Sequence, residues 1–442
     1  MEASRGIRAI LVQRRLLREK SYLYELRELA RVAGYIPIFE VEQVRPPDSA
    51  YQIGSGKAKE LAELVRKVGA ERVIFFNELK PVQAYNLSKV LGVGVMDRFQ
   101  LILEIFVKRA GTKEAKLQIE LATLRRQLSF IREYINLAKR GELPGFMAGG
   151  EYALAVYEQH IRKRISRIEE ELRKIREKTR RILTERKDVG IFNIALTGYT
   201  GAGKTTLFNT LTGEKKYVDG RPFATLSTVR RKVKIDGVPA VISDTIGFID
   251  SLPPLLLEAF YTTLAELNEA DLILLLVDSS EPMNEIIRKV KASIKTLEEV
   301  GVANKPLIAV LNKIDLITPE EVGERLSALQ KLGFKTVVPI SATKRLNIRA
   351  LEKKIVENLP GLVKATLRIK GNAYNSLLSQ LYSNAYVVRT EYSDQDIYLE
   401  ILARRKWLRY IEGRYSDKIE VVYVHEKAKS LRIAHRSQTF TR

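Results

Sequence analysis

The chain has 442 residues, with 75 Lys and Arg against 53 Asp and Glu, a formal charge of +22, and it is 45% hydrophobic and 29% charged. That balance excludes a disordered polyelectrolyte and a single small core, and about two to four soluble domains are expected. Cysteine is absent, which excludes disulfides and thiolate metal sites, and the dispersed positive charge points to a polyanionic partner, nucleic acid ahead of an anionic membrane surface.

The N-terminal MEASRGIRAILVQRRL lacks the apolar core of a signal peptide. Residues 1–110 then alternate apolar runs with amphipathic ones. RAILVQ, YIPIFEV and RVIFF read as strands and 59-KELAELVRKVG-69 as a helix closed by glycine, so an N-terminal α/β subdomain is expected. Inside it, 53-IGSGK-57 resembles part of a phosphate loop. It lacks the full spacing and the following Ser or Thr, and reads as a glycine turn before a helix. It is the sole support for a reading as an ATP-dependent RNA remodeller.

Residues 111–187 change period. Leu117, Leu121, Leu124, Leu128, Ile131 and Ile135 step by four and three, as do Ile161, Ile165, Ile168, Leu172, Ile175, Thr179 and Ile182. Such spacing predicts two long helices packed as an antiparallel, coiled-coil-like hairpin. The glycine- and proline-rich 141-GELPGFMAGG-150 is its turn. Basic flanks such as 162-RKR-164 and 180-RR-181 read equally as a solvated face or one turned to nucleic acid.

Residues 188–364 alternate strands and helices as a doubly wound sheet does. RRKVKIDGVPAVISDT is a hairpin turning at Asp-Gly. The run DLILLLVDS is a buried strand, too short to span a bilayer, so no membrane partner and a cytoplasmic location are expected. The remainder, 365–442, reads as a small α+β domain with a helix over 373–384. There Trp407, within RRKWLRY, is either a stacking platform for RNA bases or a buried aromatic. His160, His425 and His435 have no metal-like spacing and read as structural or surface residues.

The chemistry is concentrated in 188–364. In 198-GYTGAGKTT-206, Gly198, Gly203, Lys204 and Thr205 fit the phosphate-loop pattern, between a strand and a helix. Its glycines let backbone N–H groups, from Tyr199, Thr200, Gly201 and Ala202 through to Thr206, wrap a phosphate chain at a helix N-terminus. Lys204 reaches the β- and γ-phosphates and Thr205 ligates Mg²⁺. In 244-DTIGF-248, Asp244 holds Mg²⁺ through water, Thr245 and Ile246 follow, and Gly247 brings its N–H to the γ-phosphate. In 223-FATLST-228, Phe223 and Ala224 lead to Thr225, the favoured switch ligand of Mg²⁺ ahead of Ser227 and Thr228. Asp315 of 312-NKID-315 accepts two hydrogen bonds from guanine and rejects adenine, with Asn312 and Lys313 bracing the loop and covering the base. Backbone N–H groups of Ser341, Ala342 and Thr343 meet guanine O6. Together these read as a GTP- and GDP-binding, GTP-hydrolysing protein with Mg²⁺ as cofactor and Lys204, Thr225 and Gly247 as its catalytic groups.

With those motifs stand YQIGSGKAKEL, FFNELKPVQAYNL, MDRFQLILEIFVKRA, EAKLQIELATLRRQL, FATLST and DTIGFI. Over nearly its whole length the chain resembles the HflX family of translation-factor GTPases, close to its archaeal members. The resemblance implies a P-loop GTPase sheet preceded by an α/β subdomain and a helical hairpin. It also implies association with the rRNA of the large ribosomal subunit; a monomer is expected. Bacterial members dissociate stalled ribosomes, with the loop between the long helices, here Gly141 to Gly150, reaching towards the peptidyl-transferase region. The family is similar to GTPases that carry a hydrophobic residue, here Phe248, where others have a catalytic glutamine. Some of those hold K⁺ through a P-loop asparagine; Gly201 stands at that position here. Slow intrinsic hydrolysis is expected, with the large subunit ordering the switches during ribosome dissociation, rescue or biogenesis. The alternative is an anti-association or hibernation factor for which GTP is mainly a ligand.

Overall fold

The first apolar runs become parallel strands because both their faces are covered. A computed structural model of the protein describes residues 6–139, 149–188, 190–214, 229–245, 247–248, 267–302, 304–370, 375–393 and 396–425. Strands β1 (Ile7–Arg15), β2 (Tyr35–Val44), β3 (Arg72–Phe75) and β4 (Gly94–Asp97) form a four-stranded sheet in the order β2-β1-β3-β4, parallel throughout. Helices α1 (Leu23–Ala33), α2 (Ser55–Val68) and α3 (Pro81–Leu91) connect them, and α4 (Arg98–Arg109) follows β4. Side chains alternate across a strand. Ala9 and Leu11 therefore meet Leu26, Phe99 and Ile102 on the α1 and α4 side, while Ile10 and Val12 meet Leu61, Val65 and Leu87 on the α2 and α3 side. IGSGK is the start of α2. Gly54 is its N-cap, with its N–H bound by Gln43 Oε1 at 2.9 Å, and Lys57 pairs with Glu60 at 2.7 Å.

The long helices are α5 (Lys113–Lys139) and α6 (Gly149–Asp188). Leu117 and Leu121 bury against Ile168 and Leu172, with Leu124, Ile165 and Ile175 at the margin of the seam. Lys113 pairs with Glu171 at 2.8 Å near one end and Arg132 with Glu158 at 3.3 Å further along, so the helices run antiparallel, and Arg164 grips Glu120 between them with bonds of 2.6 and 2.9 Å. The turn read at 141–150 lies, up to residue 148, outside the described residues. One buried ion pair fastens α5 to the N-terminal sheet. Arg126 donates through Nη1 to Asp97 Oδ1 at 3.0 Å and through Nη2 to Oδ2. Asp97, fully buried, also N-caps α4 by accepting from the Gln100 N–H at 3.0 Å and takes the Leu79 N–H at 3.1 Å.

The next unit is a six-stranded sheet of β5 (Phe192–Gly198), β6 (Val229–Ile235), β7 (Val238–Asp244), β8 (Leu272–Asp278), β9 (Leu307–Asn312) and β10 (Val337–Pro339). The order is β10-β9-β8-β5-β7-β6, with β6 antiparallel to β7 and the rest parallel. The Asp-Gly turn of that hairpin takes positive φ at both residues, 44° at Asp236 and 86° at Gly237. Helices α7 (Lys204–Thr212), α8 (Met283–Glu299), α9 (Pro319–Lys331) and α10 (Ile348–Asn358) cover the two faces. Ile194, Leu196 and Leu274 pack with Phe208 and Leu351 on one, and Ala195, Ile273 and Leu275 with Val290 and Leu329 on the other.

The last unit runs β11 (Leu362–Lys370), α11 (Asn375–Asn384), β12 (Tyr386–Tyr392), β13 (Asp396–Arg404), α12 (Arg405–Arg414), β14 (Ile419–His425). Its antiparallel sheet has the order β12-β13-β11-β14, the ferredoxin-like βαββαβ arrangement, with both helices on one face. β11 escapes the sequence reading because Val363, Ala365, Leu367 and Ile369 are interleaved with Lys, Thr and Arg, and it crosses the boundary placed at 364. Trp407 is no stacking platform. It is only 2% exposed and lies on Gly190, where an added Cβ would come within 2.8 Å of its ring. Beside it Arg404 covers the Phe192 ring at 4.5 Å and pairs with Asp271. The C-terminal domain thus clamps the junction between α6 and β5. Among the described residues no helix is long and apolar enough to cross a membrane.

Candidate functional site

β5 ends in the middle of its sheet, flanked by β7 and β8, and the chain turns there into α7. Ligands of open α/β sheets bind at the carboxyl ends of such strands. Gly198, Gly201 and Gly203 take φ of 136°, 86° and 91°. At two of them a side chain is also shut out sterically. A Cβ on Gly198 would lie 2.4 Å from the Leu276 carbonyl oxygen, and one on Gly203 2.3 Å from Asn312 Nδ2. The turn presents the backbone of Tyr199 to Gly203 as a cup at the N-terminus of α7, an electropositive end suited to phosphate.

Lys204 reaches back over that cup. Its Nζ donates to the carbonyls of Gly198 and Tyr199 at 3.0 Å each. Burial lowers its pKa to about 8, against the raising effect of Asp244. The ammonium is thus pre-positioned and poorly solvated, a state that phosphate oxygens relieve. Thr205 Oγ1 donates to Asp244 Oδ2 at 2.9 Å. A hydroxyl and a carboxylate at the mouth of a phosphate cup are the hard oxygen donors that Mg²⁺ takes, so these two residues fit that ion. Thr245 is buried and its hydroxyl donates to the Leu196 carbonyl at 2.7 Å, fixing the end of β7.

Phe248 is placed by two backbone bonds across the loop. Its N–H donates to the Gly198 carbonyl at 3.0 Å, and its carbonyl takes the Thr200 N–H at 2.7 Å and the Thr200 hydroxyl at 2.8 Å. Its ring, 2% exposed, points into the core with Leu267, Ile273 and Leu275. Gly247 lies so close that a Cβ would meet Lys204 Nζ at 2.8 Å. Six residues read at this site, Phe223, Ala224, Thr225, Ser227, Thr228 and Ile246, lie outside the described residues.

The base-side loops are bolted to the cup by Asn312. Its Nδ2 donates to the Ala202 carbonyl at 2.8 Å, and its Oδ1 accepts the Ala342 N–H at 3.0 Å. One side chain therefore joins the phosphate loop, β9 and the 341–343 loop. Thr210 Oγ1 adds a second tie, to the Ala342 carbonyl at 3.0 Å. Lys313, at φ 68°, pairs with Asp278 at 2.5 Å, at the end of the neighbouring strand β8. Asp315 is exposed in a short 3₁₀ turn, Ser341 is buried and Thr343 exposed. The sequence reading did not single out Asp278 or Thr210. Asp278 had a signal, since it closes a parallel strand beside β5 as Asp244 does on the other side. Lys289 lies 4.7 Å above the Tyr199 ring, and burial with the nearby Glu25 carboxylate pushes that phenol above its ordinary pKa.

Fold and site together define a P-loop GTPase. A family model described as 50S ribosome-binding GTPase matches residues 193–313. Two others match ahead of it, GTP-binding GTPase N-terminal at 20–107 and GTP-binding GTPase Middle Region at 109–186. The GTPase HflX of Thermofilum pendens is 48% identical over 413 residues, covering 92% of this chain and 97% of its own. That of Methanocaldococcus jannaschii is 38% identical over 411 residues, covering 93% and 97%. A solved GTP-binding protein from Sulfolobus solfataricus, in complex with GDP, is 30% identical over 79% of this chain and 97% of its own, with a TM-score of 0.45. The chain belongs to the HflX family of GTPases.

Replacing Asp315 by Asn tests the base reading. A carboxylate accepts from guanine's N1–H and exocyclic amine, whereas an amide also donates to the 2-oxo group of xanthine. Asp315→Asn is expected to weaken GDP binding by roughly 100-fold or more, the loss of paired hydrogen bonds to a charged acceptor, and to favour XDP over GDP. Competition titrations read both; retained guanine preference would exclude Asp315 from the base site.

Proposed function

We propose that this GTPase is a GTP-driven switch on the large ribosomal subunit, acting in ribosome dissociation, rescue or biogenesis. It works as a monomer in the cytoplasm, with rRNA as its polyanionic partner. The residues from Gly198 to Thr206 hold the phosphates, Asp315 and the 341–343 loop hold guanine, and Thr205 and Thr225, with Asp244 through water, hold Mg²⁺. The metal supplies charge neutralisation on the β- and γ-phosphates. Lys204 carries the γ-phosphate's developing charge. Thr225 and Gly247 sense that phosphate and relax when it leaves.

One observation carries the partner-dependent part of this reading. The side chain at the position that would orient the attacking water is a phenyl ring buried in the core, and it is the backbone of Phe248 that hydrogen-bonds to the phosphate loop. Intrinsic turnover should therefore be slow, with the water-ordering group supplied or arranged by the ribosome. Phe248→Leu is expected to leave the intrinsic rate within about threefold, at a stability cost of roughly 1–3 kcal/mol for the three buried carbons removed from the core. A large rate loss without unfolding would mean that the ring organises the site.

Single-turnover GTP hydrolysis, with and without purified large ribosomal subunits at two salt concentrations, tests the proposal. Strong stimulation that weakens with salt is expected. Binding without stimulation would overturn it in favour of the occupancy factor, for which the buried Phe248 is the mark of a site not built for fast turnover.

A further inference from the structure

We infer that the outer face of α12, with the groove between it and β14, is a second RNA-contacting surface that takes the phosphate backbone of folded RNA. This rests on the ribosomal reading above and extends it to the C-terminal domain. The two exposed faces of that domain differ. On the open face of the sheet, Lys364 pairs with Glu400, Arg368 with Asp396 at 2.8 Å, and Lys370 with Glu420 at 3.0 Å. This face neutralises itself, and one end of it is buried, where Leu402 joins the core of the six-stranded sheet.

Helix α12 is different. Trp407, Leu408 and Ile411 turn inward. Lys406, Arg409, Tyr410, Gly413 and Arg414 are exposed and, at spacings of three and four, share one outward stripe. Arg414 donates to the Tyr410 hydroxyl at 2.7 Å, a neutral partner that leaves its charge uncompensated. Gly413 stands in the same stripe. A Cβ there would meet nothing within 4 Å, so packing gives no reason for a residue that disfavours helix. Its bareness lets a sugar–phosphate backbone approach the helix closely. The neighbouring groove, of about 300 Å³, is lined by Arg405, Arg409 and Glu412 over Leu408, Val421 and Val424. Guanidinium groups match phosphate geometry, and Tyr410, 49% exposed, offers a ring to an unstacked base. Helix α12 also packs on the long helix α6, so the stripe belongs to the same body as the helical hairpin.

The test is an Arg409→Ala/Arg414→Ala variant of the full chain, titrated over a salt series against purified large ribosomal subunits and against deproteinised large-subunit rRNA. Two lost phosphate contacts should lower affinity about tenfold or more and make the log–log salt slope shallower by roughly 2 on both probes. GTP binding should be unchanged, since neither arginine is in the nucleotide site. Arg389→Ala, which removes a cation paired with Glu391 at 2.5 Å on the sheet side, should leave the slope as it was. An unchanged slope in the double variant would overturn the inference. So would a loss on subunits that naked rRNA does not reproduce, which would assign the stripe to a protein partner. Should the native chain bind rRNA but not subunits, the ribosomal reading fails, and the slope on rRNA still decides for or against α12.

Discussion

Arg126→Ala is expected to destabilise the N-terminal half of the protein by ~3–5 kcal/mol, the range for removing one partner of a buried ion pair. Asp97 is fully buried and accepts from Arg126 twice, from the Gln100 N–H and from the Leu79 N–H. Alanine leaves a carboxylate that water cannot reach with only its two neutral donors. The guanidinium also lies over the Phe99 ring at 4.4 Å and the Phe130 ring at 5.0 Å, so its loss opens a gap between α4 and α5. Thermal unfolding should show an early transition, lower by on the order of 10 °C for a unit of this size. The pairing term is isolated by Arg126→Met with Asp97→Asn. That pair keeps the volume and the helix cap without a buried charge and should recover most of the loss. Equal destabilisation by the single and double variants would mean that packing, and not the ion pair, holds α5 in place.

That ion pair shows which part of the molecule could be read in advance. The phosphate loop, DTIGF and NKID are short, contiguous and tied to strand ends, so their backbone geometry is written locally. Gly198 and Gly203 are the clearest cases, since the structure leaves no room there for a Cβ. The two long helices were also legible, because a repeating apolar stripe needs no knowledge of its partner. What escaped is contact between elements far apart in the chain. Asp97 and Arg126 are both charged, and composition places charged residues at the surface. Trp407 has the same neighbours in sequence whether it stacks on a base or covers Gly190, and only the fold decides. Phe248 could be recognised as unable to orient water, but not as a ring in the core. Asn312 was readable as a brace, whereas the pairing of Lys313 with Asp278 depends on the neighbouring strand β8.

Lys204→Ala is expected to lower GTP and GDP affinity by roughly 100- to 1,000-fold, about 3–4 kcal/mol, the scale of losing a buried ammonium with its charge-assisted bonds to phosphate. The same change should not weaken the nucleotide-free protein in proportion. There, among the described residues, the ammonium donates to two neutral carbonyls, and burial outweighs the attraction of Asp244 and drives its pKa to about 8, which marks the charge as costly where it sits. Its removal trades that penalty against two carbonyls left without a donor and a small gap beneath Gly247. The net change in the free protein should stay within about 1 kcal/mol, because the two desolvation terms are of similar size and opposite sign. The two halves of the prediction are read in one experiment, unfolding with and without saturating nucleotide. For the native chain a ligand at a hundred times its Kd adds about 2.7 kcal/mol. For the variant at the same concentration nearly all of that should vanish, while the ligand-free midpoint hardly moves. A ligand-free midpoint that collapses would make Lys204 a structural cation. Retention of the nucleotide-dependent increment would remove it from the phosphate site, and with it the reading of the cup from Gly198 to Thr205.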